Sequence, residues 1–134
     1  MWVLATWAEM QIVPDPTEEQ IINAVCALDN KKHIGLSLYL AVPDSGGMDE
    51  RIVMCGGSRL HVEYWPAHAD EPSHALQDLD VSAADTTLID FGDQGSIEFP
   101  SWQTVTREAA IPPLLHFYRW RELGAGPWIR YEES

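Results

Sequence analysis

Cys55 stands directly before Gly56-Gly57, and His61 follows soon after, so a thiol and an imidazole are the best nucleophile and base the sequence offers. Neither a nucleophile elbow nor a cysteine-protease signature surrounds them, and a small buried thiol ending a strand accounts for Cys55 more simply. His61, His68, Asp70, Glu71 and His74 are ligand types for zinc and similar ions. Their spacing is loose, however, and Pro72 interrupts it, which reads as a solvated polar loop. Gly92-Asp93-Gln94-Gly95 lacks the lysine and the spacing of a phosphate-binding loop. With 21 acidic residues in 134, a carboxylate pair for hydrolysis is available by chance, so it carries no signal. These readings predict a protein without catalytic residues, metal or cofactor.

Charge is more informative than any motif. Residues 63 to 98 hold nine carboxylates (Glu63, Asp70, Glu71, Asp78, Asp80, Asp85, Asp90, Asp93 and Glu98) and no Lys or Arg. Such a segment attracts a basic partner and speeds its association, although a solvated acidic surface is the plainer account. Trp65 sits where a strand meets this segment, a position suited to an aromatic interface anchor. The sequence thus nominates Trp65, Asp70, Glu71, Asp78, Asp80, Asp85 and Asp93 as partner-binding residues. Of the other tryptophans, Trp2, Trp7, Trp102 and Trp120 are expected in the core.

The elements that must position these residues can be read from periodicity. Residues 2 to 7 are β-prone, and Pro14-Asp15-Pro16-Thr17 opens a helix over about 17 to 29. Either Asp15 caps it with Glu18 at the third position, or Thr17 caps it with Gln20 there. Ile21, Ile22, Val25 and Leu28 form its apolar stripe, and Asp29-Asn30 ends it. Leu36, Leu38 and Leu40 alternate with Ser37, Tyr39 and Ala41 as in a half-buried strand, which turns at Pro43 to Gly47 into a return strand over Arg51 to Cys55. Leu60 to Trp65 follows as a third strand. Residues 66 to 85 predict a long surface loop with a short strand near Leu79 to Val81. Thr86 to Phe91 and Ser96 to Phe99 pair across a turn. Pro112-Pro113 place the last helix at about 111 to 123, led in loosely from Arg107 and capped by Gly124, before an edge strand at 128 to 132. The order predicts an α+β fold, an antiparallel sheet of about five or six strands with two helices packed on one face.

A chain of 134 residues with 46% hydrophobic residues is expected to form one domain, spanning residues 1 to 134, with a core of its own. The net charge of −13 argues against direct nucleic-acid binding and against anionic membranes. Cys26 and Cys55 are expected as reduced thiols. The start of the chain carries no signal-peptide pattern and no apolar run reaches the ~20 residues of a membrane span, so a cytoplasmic location is expected.

Several short stretches, taken in order, resemble immunity protein family one of bacterial polymorphic toxin systems. They are Asp15-Pro16-Thr17-Glu18-Glu19-Gln20-Ile21 with Ala24 and Ala27-Leu28-Asp29, then Leu38, Leu40 and Gly56-Gly57, and further on Gly92-Asp93-Gln94, Phe99-Pro100, Val105, Phe117, Gly124 and Glu132. The chain departs from that pattern at Leu123-Gly124 and Tyr131-Glu132. The resemblance implies a cytosolic antidote, of a kind often encoded beside deaminase-type toxins, that binds its cognate toxin and blocks the active site. A toxin acting on nucleic acid needs a basic substrate groove, which concentrated carboxylates can occupy as a phosphate mimic. Two other classes fit the same sequence: a small-ligand or peptide-binding accessory domain, and a hydrolase built on Cys55.

Overall fold

Alternating apolar residues fix two differently populated faces on one antiparallel sheet. The computed structural model describes residues 1–7, 11–41, 49–124 and 126–131, and at Asp93 the backbone alone. Its strands are β1 (Trp2–Thr6), β2 (Gln11–Pro14), β3 (Gly35–Leu40), β4 (Arg51–Gly56), β5 (Arg59–Trp65), β6 (His74–Leu76), β7 (Thr86–Asp90), β8 (Ser96–Pro100), β9 (Val105–Thr106) and β10 (Trp128–Arg130). The helices are α1 (Glu18–Ala27) and α2 (Arg107–Trp120). An eight-stranded sheet runs β10-β6-β5-β4-β3-β1-β2, with β9 beside the start of β5. Strands β7 and β8 form a separate two-stranded ribbon.

The sheet exceeds the expected five or six strands because β2, β6 and β9 are too short to leave an alternating pattern. In particular, the loop expected over 66 to 85 contains β6, and the short strand lies at His74–Leu76 instead of Leu79 to Val81. Leu79 is 78% exposed, whereas Ala75 and Leu76 are buried beside β5 and β10. The expected turn at 43 to 47 lies outside the described residues.

Both helices cover one face. Leu4, Leu36, Leu38, Ile52, Met54, Leu60, Val62 and Leu76 of the sheet meet Ile21, Val25 and Leu28 of the first helical segment and Ala110, Leu114 and Phe117 of α2. Thr17 is the α1 cap: its Oγ1 accepts from the Gln20 amide at 3.1 Å, and the Gln20 side chain accepts from the Thr17 amide at 2.8 Å. Asp29 then closes the segment, its Oδ1 accepting the amides of Lys31, Lys32 and His33.

The second helix begins earlier than its prolines suggest. Thr106 caps it, so Pro112 and Pro113 fall in its second turn, and Arg121 takes the left-handed cap position expected of Gly124. Gly124 is small for another reason, since a Cβ there would lie 2.5 Å from the His116 ring. Trp120, expected in the core, is 67% exposed at the end of the helix. Gly56 adopts a φ of +132°, and a Cβ there would strike the Arg59 carbonyl at 2.2 Å, so the bend between β4 and β5 requires it.

Candidate functional site

The face opposite the helices carries the polar chemistry. Register places Ser37, Val53, Glu63, Ala75 and Ile129 side by side across five strands, with Cys55 opposite His61 and Arg51 opposite Trp65. The β7–β8 ribbon lies over part of this face. Its inward Ile89 is fully buried with Val53 and Cys55, and Phe91 and Phe99 pack around them. Asn30 ties the ribbon down: its side-chain amide donates to the Leu88 carbonyl at 3.1 Å, and its side-chain oxygen accepts the Asp90 amide at 2.7 Å.

Two clefts open where the ribbon leaves the sheet uncovered. One, of about 510 Å³, is lined by Trp7, Ser37, Arg51, Val53, Cys55 and Trp65. The other, of about 350 Å³, is bounded by His61, Pro72, Ile97, Phe99, Gln103 and Tyr131. Glu63, Phe91 and Gln94 line both.

Glu63 is the hub of a polar network. Its Oε2 accepts from the Tyr131 hydroxyl at 3.1 Å and lies 3.4 Å from His61 Nε2. His61 is buried, stacks on Phe99 with ring centroids 4.2 Å apart, and places Nδ1 3.0 Å from the Gln103 carbonyl, so Nδ1 carries a proton and donates. Burial, and then the Glu63 carboxylate, raise the Tyr131 hydroxyl well above the ordinary phenol range, which keeps it a donor.

Cys55 and His61 are cross-strand neighbours, as their order in the sequence allowed, but their environment does not activate the thiol. Burial first, and then the Glu63 charge, push Cys55 up to about 12. A thiol in such a setting is protonated at neutral pH and is a poor nucleophile. The imidazoles considered as ligands do not converge either. His74 packs edge-on to Tyr64 towards the helical face, His61 points to the other face, and His68 is exposed on the turn after β5. Among the described residues no group of three or more His, Cys, Asp or Glu side chains could hold a metal ion. Nor, among them, is any helix long and apolar enough to cross a membrane.

No protein-family model and no curated protein matches the chain.

The residues nominated from charge are dispersed. Asp70, Glu71, Asp80 and Asp85 are exposed. Asp78 is half-buried and bonded to Arg59 at 2.8 Å, which, with the Asp80 amide, holds its carboxyl below the usual carboxylate range. The Asp93 side chain lies outside the described residues, as does Glu132. Trp65 is a half-buried part of the sheet face and not a protruding anchor. Arg51 lies over its ring at 4.5 Å, and its Nε1 is buried without a hydrogen-bond partner among the described residues.

Charge counting passed over the apolar residues that share this segment. Leu79 is 78% exposed, Leu88 58% and Ile97 51%. On the ribbon Leu88 stands opposite Glu98 and faces outward, while its neighbour Ile89 faces in. The pair Leu88-Ile89, apolar on both faces of one strand, was the available signal.

Proposed function

We propose that the protein is an immunity protein of the kind its sequence resembles, a stoichiometric cytosolic binder that neutralises a cognate toxin by covering its active site. The observation that supports this reading is the coincidence, within residues 63 to 98, of nine carboxylates, no Lys or Arg, and the exposed side chains of Leu79, Leu88 and Ile97. Exposed apolar side chains set among acids, Leu88 beside Glu98 on the outer side of the ribbon above all, have the composition of a protein interface, apolar side chains with charges around them. The charges steer a basic toxin groove towards the surface, and the apolar side chains hold it once water is expelled. The −13 net charge makes a nucleic acid a poor partner in its own right.

The test uses the toxin encoded beside this gene. One equivalent of the protein should abolish its activity and no more than one molecule should be neutralised per molecule added; progressive inactivation by a substoichiometric amount would overturn the reading. Reversal of Asp80, Asp85 and Glu98 to Lys should slow association and flatten its salt dependence, while Leu88→Ser should speed dissociation. Unchanged association after that reversal, with slower association after reversal at Glu18 and Glu19, would place the interface elsewhere.

A further inference from the structure

We infer that the cleft between β5, the ribbon and Tyr131 receives an arginine side chain of the protein partner, whose guanidinium is held by Glu63. The inference rests on the partner-binding reading above and supplies its anchor.

Glu63 is prepared for a cation and is only half used. Its side chain is 21% exposed; Oε2 takes the Tyr131 hydroxyl, while Oε1 has no hydrogen-bond partner among the described residues. Among the described residues no Lys or Arg lines this cleft; Arg51, which feels the Glu63 charge, lines the adjoining one. Phe91, Ile97 and Phe99, whose ring stacks on His61, also line it, with Gln94. Aromatic faces around a carboxylate suit a cation that can be desolvated, and a guanidinium suits them better than an ammonium. It is planar, less strongly hydrated, and can fork two N–H groups onto one carboxylate while its face lies on a ring.

The approach to the cleft carries the same charge. Pro72 in its lining follows exposed Asp70 and Glu71. A basic side chain drawn in by these solvated carboxylates meets at Glu63 one that is partly shielded from water, where the attraction is stronger. Leu88 and Glu98 stand on the outer side of the ribbon whose inner residues wall the cleft. A partner lying across the ribbon can therefore contact them and insert a side chain at its edge. A free small cation would gain nothing from that outer surface, which favours a cation carried by a protein.

The test needs no toxin. N-acetyl-arginine N-methylamide is titrated into the isotopically labelled protein and followed by amide NMR shifts, with the citrulline analogue as a neutral probe of the same shape. The arginine probe should shift the amides around His61, Glu63, Phe91, Gln94 and Tyr131 and saturate. The citrulline probe and the Glu63→Gln variant should each weaken binding about tenfold or more. Phe91→Ala, which removes a wall and leaves the hub intact, should weaken it severalfold and serves where Glu63→Gln does not fold. Equal binding of both probes, or arginine binding unchanged in a folded variant, would overturn the assignment. The two readings fail separately. Loss of the probe site with toxin association still sensitive at Asp80, Asp85 and Glu98 removes the arginine cleft alone; an intact probe site with toxin association insensitive there removes the partner surface.

Discussion

Asp78 Oδ2 and Arg59 Nη2 lie 2.8 Å apart, and this pair withdraws one of the nominated interface charges into the fold. Arg59 also donates to the Thr104 hydroxyl at 2.7 Å and the Thr104 carbonyl at 2.8 Å, so it fastens the loop after β6 and the segment before β9 to the start of β5. Both side chains are 22% exposed, enough shielding for a charge-assisted hydrogen bond to contribute and too little to leave it unscreened. Asp78→Asn should therefore lower stability by about 1 kcal/mol and leave toxin association nearly unchanged, as denaturant unfolding and stopped-flow mixing would measure.

The same pair sets part of the acid response. Arg59 and the Asp80 amide lower the Asp78 pKa, and the His33 and Lys31 amides lower that of Asp29. A carboxyl whose folded pKa is depressed contributes stability that is fully present above its unfolded value, ~3.9 for Asp, and is lost as pH falls through the folded value. Thermal midpoints should thus decline below about pH 4, and the decline should be shallower in Asp78→Asn. A variant that keeps the wild-type slope would show that the Arg59 pair does not drive it.

The sequence offers Trp65 as an interface anchor; its place in the fold changes what its truncation should do. With Arg51 over one side and the Val53, Cys55 and Ile89 cluster beside it, Trp65→Ala removes packing inside the molecule. A stability loss of about 2 kcal/mol should accompany any loss of binding, whereas Leu88→Ser should alter binding alone. Unfolding curves of the two variants beside their dissociation rates would separate the roles.

The two cysteines should differ in reactivity. Cys26 is exposed on α1, and Cys55 is 3% exposed with its thiol near 12. At pH 8 the buried Cys55 is held as the thiol, so a maleimide should label Cys26 alone until the protein is unfolded. Intact-mass spectra before and after denaturant would show one adduct, then two. Rapid native labelling of Cys55 would reopen the nucleophile reading.

What the sequence disclosed follows from how locally each feature is determined. The Thr17–Gln20 capping box, the alternation of β3 and the turn at Gly92–Gln94 depend on neighbouring residues and were legible. Strands β6 and β9 exist because β5 offers them an edge, at Tyr64↔His74 and Leu60↔Val105, and nothing within three residues could reveal that. The same limit hid the candidate site. Glu63 and Tyr131 are 68 residues apart in sequence, and they meet because β10 pairs with β6, which pairs with β5.

The start of α2 shows a local rule yielding to tertiary packing, and it gives the last prediction. Prolines belong in the first helical turn, so Pro112-Pro113 placed the regular helix at about 111. The chain instead begins it at Arg107, because the Thr106 hydroxyl accepts the Ala109 amide and because Ala110, Leu114 and Phe117, on one stripe, are all buried against the sheet. Arg107 adds bonds to the Gly57 carbonyl at 3.0 Å and the Leu28 carbonyl at 2.5 Å. Together these outweigh the two amide donors that the prolines lack, at the positions that would bond the Glu108 and Ala109 carbonyls. Pro112 is exposed and Pro113 buried, so the cost of the missing donors can be tested at the first without disturbing the core. Pro112→Ala should raise stability by about 1 to 2 kcal/mol, the interior-helix penalty of proline less the entropy the freed chain regains when unfolded. Pro113→Ala should gain less, since it also removes buried ring contacts. Thr106→Ala, by contrast, should cost about 1 kcal/mol. Denaturant unfolding of the three variants would decide the matter. A destabilised Pro112→Ala would mean that the helix starts at the prolines after all, with 107 to 110 only loosely attached to it.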